Sequence, residues 1–148
     1  MHSNSYTVIF TSIVTIILGG FLSVAAGTLK NMQDLNVKND SKKNILSSLG
    51  YRPSGDRLWT SDDITKLFEL NIEAYVLNSS GNQTDIDPVS VNTDTDYENF
   101  PIYVDKKNGV VNGYAIPISG KGLWSTLYGY FAIEPDGLTA KGITFYAH

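Results

Sequence analysis

The chain has no cysteine in 148 residues, which excludes disulfide scaffolds, iron–sulfur clusters and thiolate zinc sites. Histidine occurs only at His2 and His148, the extreme ends. No interior His is left for a Ser-His-Asp triad, an H-E-x-x-H metalloprotease or a His-ligated zinc. Positive charge is scarce: 11 Lys and Arg stand against 15 Asp and Glu, for a net charge of −4, and no basic cluster exceeds Lys42-Lys43. A nucleic-acid footprint is therefore not expected. With 42% hydrophobic and 11% aromatic residues, the composition is that of a folded chain.

The N-terminal stretch lacks charged side chains altogether, since no Asp, Glu, Lys or Arg precedes Lys30. Within it, Tyr6 to Leu29 forms one long apolar run. At 1.5 Å per residue such a helix spans about 36 Å, enough for a hydrocarbon core of about 30 Å. Its Thr and Ser hydroxyls can bond carbonyls of the preceding turn. A cleavable signal peptide is the rival, because Val24-Ala25-Ala26 resembles a cleavage site. The run exceeds a normal h-region and no Lys or Arg precedes it, which favours a retained transmembrane helix over residues 1–30. Lys30, Lys38, Lys42 and Lys43 follow the helix. The positive-inside rule alone would place residues 31–148 in the cytoplasm.

Beyond the anchor, Ser41 can cap a short helix through Leu49, with Gly50 as its terminator. Thr60 and Asp63 form a capping-box variant that opens a second helix carrying Ile64, Leu67 and Phe68. Asn71–Leu77 alternates like a strand. Residues 78–99 are polar and acidic, with Asp85, Asp87, Asp94, Asp96 and Glu98. They lack the central Gly and terminal Glu of an EF-hand, so a solvated loop is expected there. The sequons at Asn78 and Asn82 carry no weight. From Phe100 the chain turns strand-like. Lys107-Asn108-Gly109 joins Pro101–Val104 to Gly113–Ile118, and Glu134-Pro135-Asp136-Gly137 joins Thr126–Ile133 to Ala140–Tyr146. Short turns between consecutive strands give an antiparallel meander, and the fold class is α+β.

Ser119 to Thr126 (SGKGLWST) is the segment richest in ligand-contacting residue types. Gly120-x-Gly122-x-x-Ser125 grazes a dinucleotide fingerprint, but that motif needs a helix next, and strand residues follow. What remains is Lys121, Gly122, Leu123, Trp124 and Ser125 on permissive backbone. The glycines admit a planar ligand, the indole gives it a stacking face, and Lys121 can offset negative charge. The ordinary alternative is favoured by these residues taken alone: Trp124 as core filler, Lys121 solvated, the glycines as a turn.

Two segments resemble the C subunit of the sodium-translocating NADH:quinone oxidoreductase. One is Ser23–Leu49, with Ala25-Ala26, Leu29-Lys30, Gln33, Asn36 and Lys42-Lys43-Asn44-Ile45-Leu46. The other is Ile116–Tyr146, with Pro117-Ile118-Ser119-Gly120-Lys121-Gly122-Leu123-Trp124-Ser125 and Gly142-Ile143-Thr144-Phe145-Tyr146. Together they cover about two fifths of the chain, and the Gly-Lys-Gly-Leu-Trp-Ser string is specific. The G subunit of the related Rnf complex is similar, but matches the Lys-Asn-Ile-Leu run less well. The resemblance implies a single-pass subunit in the inner membrane, its flavin domain on the outer face, overruling the lysine count. It also implies the complex's other subunits and membrane lipid as partners, no nucleic acid, and a one-electron FMN relay. That relay would serve a complex coupling electron transfer from NADH to quinone with sodium export.

The FMN of that family is tied through a phosphoester to a threonine in a Ser-Gly-Ala-Thr-like motif. Family members also carry a Glu-Thr-Pro-Gly-Leu-Gly segment before it. Neither motif occurs in these 148 residues, and neither Thr126 nor Thr144 has a Gly-Ala-Thr context. The chain thus reads as a C-terminally truncated subunit with residues 31–148 as a partial, incomplete FMN-binding domain, not catalytic by itself. Lys121, Gly122, Leu123, Trp124 and Ser125 are the expected cofactor-contacting residues, and none is assigned to catalysis or metal. The alternative function is a membrane-anchored module without redox chemistry, for binding or pilin-like structure. Pilin-like helices usually carry an early Glu, and here no acid precedes Asp34.

Overall fold

A computed structural model describes residues 4–55 and 57–146, so His2 and His148 lie outside the described residues. Helix α1 (Asn4–Ser48) comes first, then α2 (Ser61–Asn71), β1 (Ile72–Asn78) and the short β2 (Gln83–Thr84). One turn of 3₁₀ helix at Pro88–Ser90 precedes β3 (Asn99–Lys107), β4 (Val110–Lys121), β5 (Thr126–Ile133) and β6 (Ala140–Tyr146). The strands make one antiparallel sheet in the order β2-β1-β3-β4-β5-β6. This is the expected α+β class, with an N-terminal apolar helix and a meander.

The chain divides into two compact units, Met1–Lys38 and Asn39–His148. In the first, the described side chains of α1 are exposed around the whole helix, including Ile9, Phe10, Ile16 and Phe21. Thr11 and Thr15 donate to the carbonyls of Thr7 and Thr11, each at 2.8 Å, so their hydroxyls are satisfied within the helix. Among the described residues, α1 is the one helix long and apolar enough to cross a membrane.

One local expectation fails. Ser41 does not open a helix of its own, because α1 continues through it to Ser48. No Gly or Pro interrupts residues 28–49, and Lys, Gln, Leu and Met there are good helix formers. A single capping side chain cannot stop a helix that the neighbouring residues continue. Ser41 instead hydrogen-bonds toward the hydroxyls of Tyr130 and Tyr146. The end of the helix is as expected. Gly50 takes φ +90°, its N–H donates to the Ser47 carbonyl at 3.2 Å, and Tyr51 N–H donates to Leu46 at 3.0 Å. That is the paired closure of a Schellman motif, which needs a residue free to adopt positive φ. Thr60 and Asp63 form the reciprocal capping box of α2, Asp63 N–H donating to Thr60 Oγ1 at 3.2 Å and Thr60 N–H to Asp63 Oδ2 at 3.1 Å.

The strand registers sort the sheet into two faces, since directly opposed residues point the same way. One face carries Ile72, Tyr103, Ala115, Tyr130, Ala132 and Gly142. Against it pack Ile45, Leu46 and Leu49 from the end of α1 and Ile64 from α2, and these residues form the buried core. Asp105 is fully buried on this face, accepting from Tyr51 Oη at 2.8 Å and Asn112 Nδ2 at 2.6 Å. Burial, then the Asp105 carboxylate, raises the Tyr51 phenol above its ordinary pKa. The other face carries Phe100, Ile116, Ile118, Phe131, Ile143 and Phe145, none of them fully buried, and toward β1 also Val104, which is buried.

Candidate functional site: the β4–β5 hairpin tip

The ligand-contacting residue types expected from sequence all fall at the end of one hairpin. Register pairs run Ser119↔Tyr128, Gly120↔Leu127 and Lys121↔Thr126. Lys121 is thus the last residue of β4, and Gly122 to Ser125 make the turn. Gly122 N–H donates to the Ser125 carbonyl at 2.9 Å, which closes the tip around Leu123 and Trp124. A Cβ at Gly122 would fall 2.6 Å from that same carbonyl oxygen, so the closure requires glycine. Gly120 has open space where its Cβ would be, and only Gly122 is sterically demanded. A strand follows the glycines, as the rejection of a dinucleotide fingerprint required.

Trp124 is 94% exposed and Leu123 90% exposed. The core-filler reading of Trp124 therefore does not describe this chain. Lys121 and Ser125 are also exposed, and no acidic partner to Lys121 occurs among the described ion pairs. The tip presents an indole, an isobutyl group, a cation and a hydroxyl outward from a short, closed turn. Two clefts lie elsewhere. One, of about 450 Å³, lies beside α2 among Arg52, Arg57, Trp59 and Lys66. The other, of about 160 Å³, is lined by Pro88, Pro101, Tyr103, Pro117, Tyr130 and Tyr146. Neither is lined by residues 121–125.

The base of the hairpin is held by residues that sequence reasoning left in solvent or unassigned. Tyr128 Oη donates to Asp94 Oδ2 at 2.6 Å, tying β5 to the acidic segment. Ser119 also hydrogen-bonds Asp94, and these two bonds, Ser119 first, hold the carboxyl below the usual carboxylate range. Asp94 is thus a clamp, whereas Asp87 and Asp96 serve their own loop. Asp87 accepts from Val89 N–H at 3.0 Å, and Asp96 from Glu98 N–H at 3.0 Å. Behind the clamp stands a stack of tyrosines. Tyr128 and Tyr130 each stack on Tyr146 at 6.2 and 5.8 Å, and Tyr103 meets Tyr130 edge-on at 5.7 Å. Tyr128 and Tyr130 alternate along a strand and so signal a shared face, whereas Asp94, far upstream, has no sequence signal as a partner.

No family model matches the chain. It is 25% identical to the C subunit of the Na(+)-translocating NADH-quinone reductase of Haemophilus ducreyi, over 97% of this chain and 63% of that protein. It is 29% identical to the corresponding C subunit of Pasteurella multocida, over 99% of this chain and 65% of that protein. The crystal structure of the C subunit from Parabacteroides distasonis superposes with TM-score 0.67 at 27% identity, covering 81% of this chain and 58% of that one. The chain is a relative of these C subunits in sequence and in fold. It spans somewhat less than two thirds of the length of the curated relatives it matches.

Proposed function

We propose that this chain is the membrane-anchored flavin subunit of a sodium-translocating NADH:quinone reductase complex. In this reading residues 1–30 are the anchor in the inner membrane. Residues 31–148 are part of an extracytoplasmic FMN-binding domain, and the hairpin tip faces the flavin. The observation that carries it is the outward projection of Leu123 and Trp124 from a turn too short to hide them. The likeness to the C subunits and the apolar length of α1 support the same reading.

The residues at the tip fit one side of a flavin. Trp124 and Leu123 offer apolar contact to a planar ring, Gly122 and its neighbours allow close approach, and Lys121 offsets negative charge. Ser125 would add a hydrogen-bonding hydroxyl. When bound, FMN supplies electron acceptance and release, which no side chain here can provide. The tip is an open surface and not an enclosed cavity, so free FMN would be held weakly. The threonines of this stretch do not fit the family's tether. Thr126 pairs with Lys121 in the ladder, and Thr144 Oγ1 donates to the Asn44 carbonyl at 3.1 Å. Electron transfer to quinone and sodium export belong to the assembled complex in this proposal, with the other subunits and lipid as partners.

The test is assembly. In a host deleted for its own C subunit, a tagged copy of this chain should recover the other reductase subunits from solubilised membranes. Recovery of the chain without any of them would contradict the proposal.

A further inference from the structure

The sheet is covered on one side only. The ends of α1 and α2 pack on the face of Tyr103, Ala115 and Tyr130, while among the described residues no helix packs on the opposite face. Antiparallel sheets can leave one face in water, and then that face alternates into polar residues. This one does not. Phe100, Ile116, Ile118, Phe131, Ile143 and Phe145 share it through the registers Phe131↔Ile116 and Phe131↔Ile143, Gly129↔Ile118 and Gly129↔Phe145, and Leu77↔Phe100. Toward the β1 and β3 end the same face carries the Glu73–Lys106 ion pair. Phe145 remains 60% exposed, Ile143 51% and Phe100 47%. Strands stand about 4.8 Å apart, so five strands of this apolar surface make a patch roughly 20 Å across, comparable to the largest apolar patch of an ordinary folded monomer, which is often an interaction site. Edge strand β6 also has one side of its backbone unpaired within the sheet.

We propose that this face docks a second layer of polypeptide, equivalent to the part of the C subunits that lies outside the match. The relatives match nearly all of this chain, yet more than a third of their own length has no counterpart in it. A two-layer domain is the ordinary way to bury a sheet whose outer face is apolar. The occupant is thus a segment with its own apolar face. It seats on Ile116, Phe131 and Ile143 and extends pairing at β6. A second copy of this chain is the competing occupant, and the experiment separates the two.

The chain has no cysteine, so single reporters are unambiguous. Ile143→Cys and Phe145→Cys are placed separately in the full chain, with Leu138→Cys, in the β5–β6 turn, as control. Each is labelled with a water-soluble maleimide, with and without the unmatched portion of the Pasteurella multocida C subunit co-expressed as a separate polypeptide. The proposal expects at least tenfold slower labelling at 143 and 145, no change at 138, and a one-to-one complex. Unchanged labelling at 143 and 145 overturns it. Protection that appears without the added segment and scales with chain concentration also overturns it, in favour of self-association.

Discussion

Gly142 is the position at which the packing of the core is most open to test. A Cβ built there falls 2.3 Å from the carbonyl oxygen of Ser48. That is well inside the roughly 3.5 Å at which heavy atoms attract best. The carbonyl is backbone and a Cβ is fixed by its own backbone, so no rotamer change relieves the clash. The last turn of α1 would have to lift, and with it Ile45, Leu46 and the following Leu49, all at most 3% exposed. Overpacking of this kind costs about 1–3 kcal/mol, and a rigid backbone partner puts Gly142→Ala at the upper end, about 3 kcal/mol. For a unit of this size that lowers the Tm by roughly 10 °C. Gly120→Ala is the matched control, because nothing lies within 4 Å of its Cβ. A strand glycine costs about 0.5–1 kcal/mol relative to alanine, so that variant should be neutral or slightly more stable. Denaturant unfolding of the full chain in mild detergent measures both. If Gly142→Ala stays within about 0.5 kcal/mol of the parent, the range of ordinary surface substitutions, the helix end does not sit on β6 as described.

Alkali supplies a second test. Burial, first among causes, raises the Tyr103 and Tyr130 phenols above their ordinary pKa. Unfolded tyrosines ionise near pH 10 and these two ionise at higher pH, so their contribution is intact below about pH 10 and is lost as pH rises through their folded range. Stability should fall as pH rises above about 10, by at most about 1.4 kcal/mol per pH unit for each, and Tyr130→Phe should make the fall shallower. An unchanged slope between about pH 10 and 11 would place Tyr130 in solvent. The anchor should keep the chain in membranes through a carbonate wash, because extraction exposes the apolar run of Tyr6–Leu29. Soluble protein beginning near Gly27 would identify a signal peptide instead. An enzyme reporter that works only outside the cytoplasm, fused after Gly50, should be active. Activity from a cytoplasm-only reporter at that junction would mean that Lys30, Lys38, Lys42 and Lys43 set the orientation.

What could be read from sequence was what neighbouring residues decide. Asn108 and Gly109, at φ 53° and 80°, make the hairpin turn that an Asn-Gly pair favours, and Gly137 at φ 70° does likewise before β6. Gly50 and the Thr60–Asp63 box ended and began helices where local chemistry required. Ser41 misled because capping is a local preference, and it lost to a stretch free of Gly and Pro and to tyrosine hydroxyls from the far end of the chain. Asp94 was equally opaque. Its partners Ser119 and Tyr128 lie downstream in β4 and β5, and nothing in an acidic loop distinguishes a clamp from a solvated carboxylate. At the hairpin tip, the residue types suggested a ligand surface, but exposure was undecidable. A lone Trp between strands fits a core as well as it fits a surface, until the short span between Gly122 and Ser125 is known.

Whether this tip faces a flavin is tested most directly at Trp124. The chain would be extended with the portion of the Pasteurella multocida C subunit that lies outside the match and co-expressed with a flavin transferase. The redox potential and fluorescence of its denaturation-resistant flavin are then compared with those of Trp124→Ala. Stacking tunes the ring and not the tether, so the flavin should stay attached while its potential and fluorescence shift. Attached flavin with both properties unchanged would show that the tip does not face the ring.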